Sequence, residues 1–425
     1  MRAAVIRSIA VLGLVNAGVL GAQVTAIKAG KFVDADAGTV LSDQVILIKD
    51  GKITAVGAKL AIPADAKVID LSQMTVMPGL LDMHSHLIGN WVNDPEPLHE
   101  LDRTAAEEAY LSIPNAKTVL MEGFTTVRDV GTYRALIDIA MRDAIARGDF
   151  PGPRMFVAGA YVTITGGAGA MTGVSPDVTL PWDMTYGVAN SPWEVRERVR
   201  RLAGQGANVI KVLVTGAILT HNSNHLAREF TLEELQAAVD EANNFGLKVA
   251  AHGHNMNGIK NAIRAGVASI EHGSFLDSEA VAMMKAKGTY LVPTLEVHSC
   301  IQANALLPGD FLAHDSIAKI HMESFRRAVK AGVKIAYGTD NPVCNFKYPG
   351  REFELMVQYG MTPMQALQAA TVAAADLLGQ SAMVGSIKPG KYADIIAVNG
   401  DPIKNIAIMQ NVGFVMKQGI VVPRR

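Results

Sequence analysis

Cysteine is nearly absent: a chain of 425 residues carries only Cys300 and Cys344. That scarcity excludes the disulfide framework of a small secreted scaffold. The two thiols have the option of pairing, but nothing in the sequence brings their Cα atoms together, and two buried free thiols are the expectation. Net charge is equally scarce, with 39 basic residues against 40 acidic ones and a formal charge of −1. No block of like charge stands out, so the chain lacks the electrostatic footprint of a nucleic-acid binder. Low-complexity tracts and repeats of solenoid period are missing too. Long apolar runs are confined to the start, where Arg2 and Arg7 precede Ile9–Leu20 and the small residues Gly21 and Ala22 follow. Basic, apolar and small residues in that order read as a secretory signal peptide, and the run is short for a membrane span. Residues 1–22 are therefore expected to send the chain to the periplasm or outside the cell.

What is present is enough apolar material for a large core, with 49% hydrophobic and 19% charged residues. After the leader, Val24–Val33, Gln44–Lys49, Lys52–Val56 and Val68–Leu71 read as short strands, with Asp50-Gly51 a hairpin signal between two of them. From Thr75 the texture changes to short apolar runs alternating with longer helical patterns, which predicts a parallel sheet. Eight such runs can be counted: Val76–Met83, Thr125–Asp129, Met155–Ala158, Val209–Val214, Lys248–Ala251, Ser269–Glu271, Tyr290–Leu295 and Lys334–Tyr337. Helical stretches between them include Glu194–Leu202, Leu232–Phe245 and Ser316–Lys330, with Thr231 and Glu234 forming a capping box. Eight strand–helix units predict an α/β fold of the (β/α)8 barrel type. No Gly-rich dinucleotide turn supports an open doubly wound sheet instead. After helical Pro363–Ala369 and Thr371–Leu378, the C-terminus is β-rich again at Ile395–Val398, Asn411–Lys417 and Ile420–Val422. The expected division is residues 1–22 as leader, 75–380 as barrel, and 23–74 with 381–425 joined into one small β-sandwich.

In a barrel of this type the C-terminal strand ends share one rim, so chemistry is sought there. Met77-Pro78-Gly79-Leu80-Leu81-Asp82-Met83-His84-Ser85-His86 ends in two alternating histidines, which face the same way from a strand. The fourth strand carries Lys211, the fifth ends at His252 with His254 two residues on, the sixth at His272, and the eighth at Asp340. Four histidines and an aspartate at strand ends suit one or two divalent ions. A plain ammonium at Lys211 would be repelled by them, whereas a desolvated neutral lysine can take up CO2 as a carbamate and bridge two cations. Taken alone, Lys211 reads better as a rim lysine paired with an acidic neighbour, and the bridging reading gains only beside His252 and His272.

These residues resemble the amidohydrolase superfamily. "MPGLLDMHSH", "VIKVLVTG", "AAHGH", "SIEHGS", "YGTD" and the late "GSIKPGKYADIIAV" match its pattern in order from about Val24 onward. The likeness is greatest to the binuclear metal-dependent Xaa-Pro and Xaa-Arg dipeptidase branch, which includes ochratoxin A-hydrolysing enzymes. The resemblance implies that His84, His86 and Asp340 hold the more buried metal, and His252 and His272 the more exposed one. Carboxylated Lys211 and a hydroxide would bridge the pair, with Zn2+ the first candidate and Co2+, Mn2+ or Ni2+ open on ligand chemistry. It implies hydrolysis of the amide before a C-terminal amino acid in dipeptides or N-acyl amino acids, ochratoxin A among them. Asp340 would act as proton shuttle and His254 as a contact to substrate or intermediate. It further implies a homo-oligomer, with an octamer the candidate state.

Two loops depart from the pattern. Relatives often carry Gly-Gly-His-Gly after strand three, where this chain has Gly166-Gly167-Ala168-Gly169, and Thr215-Gly216-Ala217 replaces Thr-Gly-Gly. Weaker candidates for substrate contact are His221 and Arg228 in the loop Thr220–Phe230, and His298 after strand seven. His99, His314 and His321 lie away from strand ends and read as surface residues. A mononuclear deaminase or imidazolone-type hydrolase is the alternative on the same barrel, but such enzymes place a Glu shortly after the fifth-strand His. Here Gly-His-Asn-Met-Asn follows His252.

Overall fold

The computed structural model describes residues 23–89, 101–220, 223–303, 311–344 and 349–423. Expectations placed on the leader, on His99 and on His221 lie outside these residues. The chain begins with β1 (Thr25–Asp34), β2 (Thr39–Lys49), β3 (Lys52–Gly57) and β4 (Lys67–Pro78). Asp50 and Gly51 form the two-residue turn between β2 and β3, both with positive φ (52° and 73°), which the Gly in this pair permits without a Cβ penalty. After the last helices come β13 (Ile395–Asn399), β14 (Val412–Lys417) and β15 (Ile420–Val421). The two ends of the chain build one seven-stranded sheet in the order β15-β14-β13-β4-β1-β2-β3. Its edge strand β3 also meets the segment before β13, through Ile53 N–H to Lys391 O at 2.9 Å and Ala393 N–H to Gly51 O at 2.9 Å. Ile27, Phe32, Ile46, Ile48, Ile53, Ile395 and Met416 fill the core so enclosed.

β4 corrects one boundary. The expected strand Val76–Met83 is two strands: Val76, Met77 and Pro78 pair with Ala397, Ile396 and Ile395 in the large sheet, and β5 (Leu80–Ser85) belongs to the parallel set. The break falls at Pro78-Gly79. Proline has no N–H for a ladder, and a Cβ on Gly79 would sit 2.3 Å from Thr125 Oγ1.

The rest is α/β with parallel strands. β5 pairs with β6 (Phe124–Asp129), and β6 with β7 (Arg154–Val157). A second parallel sheet holds β8 (Tyr161–Val162), β9 (Val209–Leu213), β10 (Lys248–Gly253), β11 (Ser269–His272) and β12 (Tyr290–Val292). β8 was not expected; two residues are too few for a periodic signal. The expected eighth strand, Lys334–Tyr337, is present only as bridges. Ile335 bridges Leu291 beside β12, while Tyr337 O accepts from Met83 N–H at 2.8 Å and Asp340 N–H donates to His84 O at 2.7 Å. Gly338 makes that approach possible, since a Cβ there would lie 2.8 Å from the Cβ of His84. Helices at Ala105–Met121, Pro192–Gly204, Leu232–Asn244, Ser278–Lys287 and Phe311–Ala331 lie between the strands in sequence. The expected capping box is there, with Thr231 Oγ1 accepting from Glu234 N–H and the Glu234 carboxylate accepting from Thr231 N–H. Among the described residues no helix is long and apolar enough to cross a membrane.

The cysteines are also corrected. Cys300 and Cys344 form a disulfide with Cα atoms 5.3 Å apart. Cys300 lies in the helix Val297–Ala303 and Cys344 four residues past Asp340. Forty-four residues of sequence separate them, a distance that only the folded rim closes.

Candidate metal centre

His84 and Asp340 are brought together by a buried acid between their strands. Asp82, two residues before His84, accepts His84 N–H at 3.0 Å and Thr339 N–H at 3.2 Å, and takes the Thr339 hydroxyl at 2.6 Å. His84 Nε2 and His86 Nε2 each stand 3.3 Å from Asp340 Oδ1. Lys211 Nζ, 1% exposed at the middle of β9, is 3.5 Å from His84 Nε2. Across from them, the His252 ring centroid is 4.6 Å from those of both His254 and His272, and His272 is 4.8 Å from His84. Ligand atoms of His252, His254 and His272 lie within 4.8 Å of one another, as do those of His84, His272 and Asp340.

This donor set fits divalent cations. Bonds of about 2.0–2.1 Å at tetrahedral angles put neighbouring ligand atoms about 3.3 Å apart, which is the distance from Asp340 to each of His84 and His86. Each imidazole is also fixed through its other nitrogen, as metal-binding histidines are. His84 Nδ1 meets Glu271 at 2.8 Å, His86 Nδ1 meets Gly131 O at 2.8 Å, His272 Nδ1 meets Thr294 Oγ1 at 2.7 Å, and His254 Nδ1 meets Ser274 Oγ at 2.9 Å. His252 uses Nε2 toward Gly216 O at 3.3 Å, which leaves Nδ1 for a ligand. His272 and Asp340 both adopt left-handed backbone, with φ of 65° and 60°, an unfavourable state of order 1–3 kcal/mol for such residues. Strain of this kind collects where strand ends aim side chains at a common point.

Electrostatics keep the lone pairs available. Burial, then the Lys211 charge, pushes His252 down to about 3, and burial with neighbouring histidines holds His254 and His272 well below the usual imidazole range. Burial opposes ionisation of Asp340, but His84 and His86 outweigh it and hold the carboxyl well below the carboxylate range. Lys211 is pushed down to about 8 by burial, against the pull of Glu271 and Asp340. A neutral amine is thus accessible near physiological pH.

The cleft above these groups is mostly apolar. Ile88, Leu213, Ala217, Ile218, Leu219, Val297, Pro342 and Val343 line it, with Tyr133 and Tyr161 on one side. Ala168, where a histidine was noted in relatives, forms part of the wall. Its N–H donates to Glu229 Oε1 at 2.7 Å and its carbonyl accepts from the Thr220 hydroxyl at 2.9 Å. Burial pushes Glu229 up to about 8, against hydrogen bonds from Ala168 and Thr163.

Of the candidates for substrate contact, His254 and His298 line the cleft. Arg228 is exposed, with its backbone bridged to Thr215. His321 was expected at the surface and is 2% exposed at the cleft. Its Nε2 donates to His272 O at 2.9 Å and its Nδ1 meets His298 Nε2 at 2.7 Å. Helical spacing gave no warning, because the partner elements come from distant parts of the chain. His314 falls in the same helix, Phe311–Ala331.

Missed from the sequence were Arg128 and Glu271. Both sit inside short, wholly buried strands, and a buried Arg in one such strand with a buried Glu in another is itself a signal for a cross-strand ion pair.

The chain belongs to the amidohydrolase family, whose profile matches residues 75–422, and this membership supports a hydrolase of C–N bonds with a donor set that fits divalent cations. Among relatives of known name, the ochratoxinase of Aspergillus niger is 32% identical over 418 residues, covering 92% of this chain and 84% of that protein. The crystal structure of A. niger ochratoxinase superposes with a TM-score of 0.82 and 30% identity, covering 94% of this chain and 95% of that one. A crystal structure of a Xaa-Pro dipeptidase with methionine bound in its active site gives a TM-score of 0.88 and 36% identity, covering 95% of this chain and all of that one.

Proposed function

We propose that the protein is a binuclear metallo-amidohydrolase that cleaves the amide before a C-terminal amino acid in dipeptides or N-acyl amino acids. Ochratoxin A is the specific substrate proposed, giving ochratoxin alpha and phenylalanine. The observation that carries this reading is the convergence of His84, His86 and Asp340 at 3.3 Å spacing with buried Lys211 beside them. In this reading His84, His86 and Asp340 hold one cation, His252 and His272 the other. Lys211 joins them as a carbamate, formed when its neutral amine bonds to CO2 and sheds one proton. Divalent cations held by these residues, Zn2+ first among them, would supply acidified water and a polarised scissile carbonyl. Asp340, kept ionised by its histidines, accepts the proton of the attacking water and passes it to the departing amine nitrogen. His254, fixed by Ser274, faces the reacting carbonyl. The apolar wall excludes water and receives the side chain of the released amino acid.

The scaffold proposed for this chemistry is a (β/α)8 barrel over residues 75–380, closed where the segment Lys334–Asn341 bridges β12 and β5. Residues 23–74 and 381–425 form the accessory β-domain. Secretion or export to the periplasm is part of the same proposal, and the Cys300–Cys344 disulfide supports an oxidising compartment.

The test is an assay of purified protein on ochratoxin A and on chromogenic N-acyl amino acids, with and without chelator. Release of phenylalanine that chelator abolishes and added metal restores is the expected result. Absence of amide hydrolysis across the panel in metal-replete protein would reject the reading.

A further inference from the structure

One buried guanidinium grips His84 from two directions. Arg128, on β6 and 2% exposed, donates from Nε to Met83 O at 2.6 Å, fixing the peptide that leads into His84. From Nη2 it donates to Glu271 Oε1 at 2.8 Å, and from Nη1 to Ser269 Oγ at 3.0 Å. Ser269 in turn donates to the same Glu271 oxygen. The other carboxylate oxygen, Oε2, is 2.8 Å from His84 Nδ1. Glu271 is fully buried, with the Arg128 guanidinium and the Ser269 hydroxyl both on its Oε1. A carboxylate paired with a guanidinium accepts at both oxygens, so His84 Nδ1 carries the proton. The lone pair is then on Nε2, the atom that faces Asp340 and Lys211.

We propose that Arg128, Glu271 and Ser269 form a charge-fixed clamp that holds His84 in its only ligating tautomer and thereby sets the affinity of the more buried metal position. Arg128 and Glu271 are positioning residues, since neither reaches the cleft. The clamp rests on the binuclear reading above and deepens it. Two features separate it from simple core packing. A structural ion pair would need one contact between β6 and β11, whereas here the guanidinium also holds the backbone of β5. The carboxylate, moreover, places its second oxygen on the imidazole whose Nε2 faces Asp340 and Lys211. A second carboxylate partner of this kind raises ligand basicity and orients the ring.

The clamp predicts an asymmetric loss. His252 and His272 are oriented by Gly216 and Thr294, not by this clamp, so only one of two metal positions should weaken. The experiment is a titration of the metal-free full chain with Zn2+ against a chelator of known affinity, repeated with Co2+ and its visible absorption. Wild type, Glu271→Gln and Arg128→Lys are compared. Glu271→Gln keeps the shape but removes the obligate acceptor, and Arg128→Lys keeps the charge but loses the three-way fork. Each is expected to bind one equivalent roughly 10- to 100-fold more weakly and the other as in wild type. Unchanged affinity at both positions overturns the clamp. If the charge variants fail to fold, Ser269→Ala carries the test. It removes one bond to Glu271 with both charges still paired, and is expected to weaken the same equivalent by about threefold, with no change counting against the clamp. Failure of the binuclear reading would look different, since wild type itself would then bind fewer than two ions.

Discussion

The floor of the cleft and its wall are built on opposite principles. On the floor, His84, His86, His254 and His272 are each tied through Nδ1 to a partner from another part of the chain, and the acids are held ionised by their neighbours. On the wall, Ile218, Leu219 and Val343 come from loops and Val297 from the start of the helix Val297–Ala303, and they contribute contact area rather than directed bonds. The floor can therefore perform one chemistry with high geometric demand, while the wall can change residue by residue without disturbing it. Reaction type is read from the first region and substrate choice from the second.

The floor should break first and hardest. Asp340→Asn removes the proposed proton acceptor and is expected to lower kcat by roughly 10²–10⁴-fold, with the circular dichroism spectrum unchanged. Lys211→Ala should likewise abolish turnover, and short carboxylic acids should restore part of it by standing in for the bridging anion. Full activity without such acids would remove Lys211 from its proposed role. The wall should respond more mildly and in KM. Ile218→Asp, which places a charge in an apolar wall, is expected to raise KM for an aromatic N-acyl amino acid by about 10-fold with little change in metal content.

Between floor and wall stands Glu229, whose proton holds the key to a pH effect. Its folded-state carboxyl titrates near 8, above its ordinary range, so between about pH 5 and about pH 8 the folded chain keeps a proton that the unfolded chain has released. Stability from this group is present at the acid end and is lost as pH rises through that window. Glu229→Gln cannot ionise and should lack that slope, so its melting temperature should gain on wild type from pH 5 toward pH 8 by a few degrees. A constant difference across the window would contradict the raised carboxyl.

The disulfide should matter least to chemistry. Closing a loop of 44 residues lowers the entropy of the unfolded chain by about 4 kcal/mol in the chain-entropy account. Cys300→Ser with Cys344→Ser should accordingly lower the melting temperature while leaving kcat within about twofold, measured on the same substrate.

This contrast also explains what was legible in the sequence. His84, His86, Lys211, His252, His272 and Asp340 were legible because a parallel strand fixes where its end points, and a polar residue there is conspicuous against an apolar run. The Glu271–Arg128 pair was legible in principle, as charged residues in buried strands, but pairing them requires knowing that β5, β6 and β11 face one interior. His321 and the cysteines were not legible. His321 is brought to His272 by helix docking, and Cys300 meets Cys344 only because the helix Val297–Ala303 and the segment after Asp340 come together in the fold. Neither contact leaves a periodic mark in the chain. The expected strand Val76–Met83 was misjudged because Pro78-Gly79 divides one apolar run between two sheets.

The count of metal ions against activity tests the central claim most directly. Metal-free protein is titrated with Zn2+ while amide hydrolysis is followed, and bound metal is measured on the same samples. Activity that rises to a plateau at about two ions per chain, with CO2 present, is the result expected from floor residues arranged as two joined sites. A plateau at one ion per chain would contradict it and favour a mononuclear hydrolase on the same scaffold.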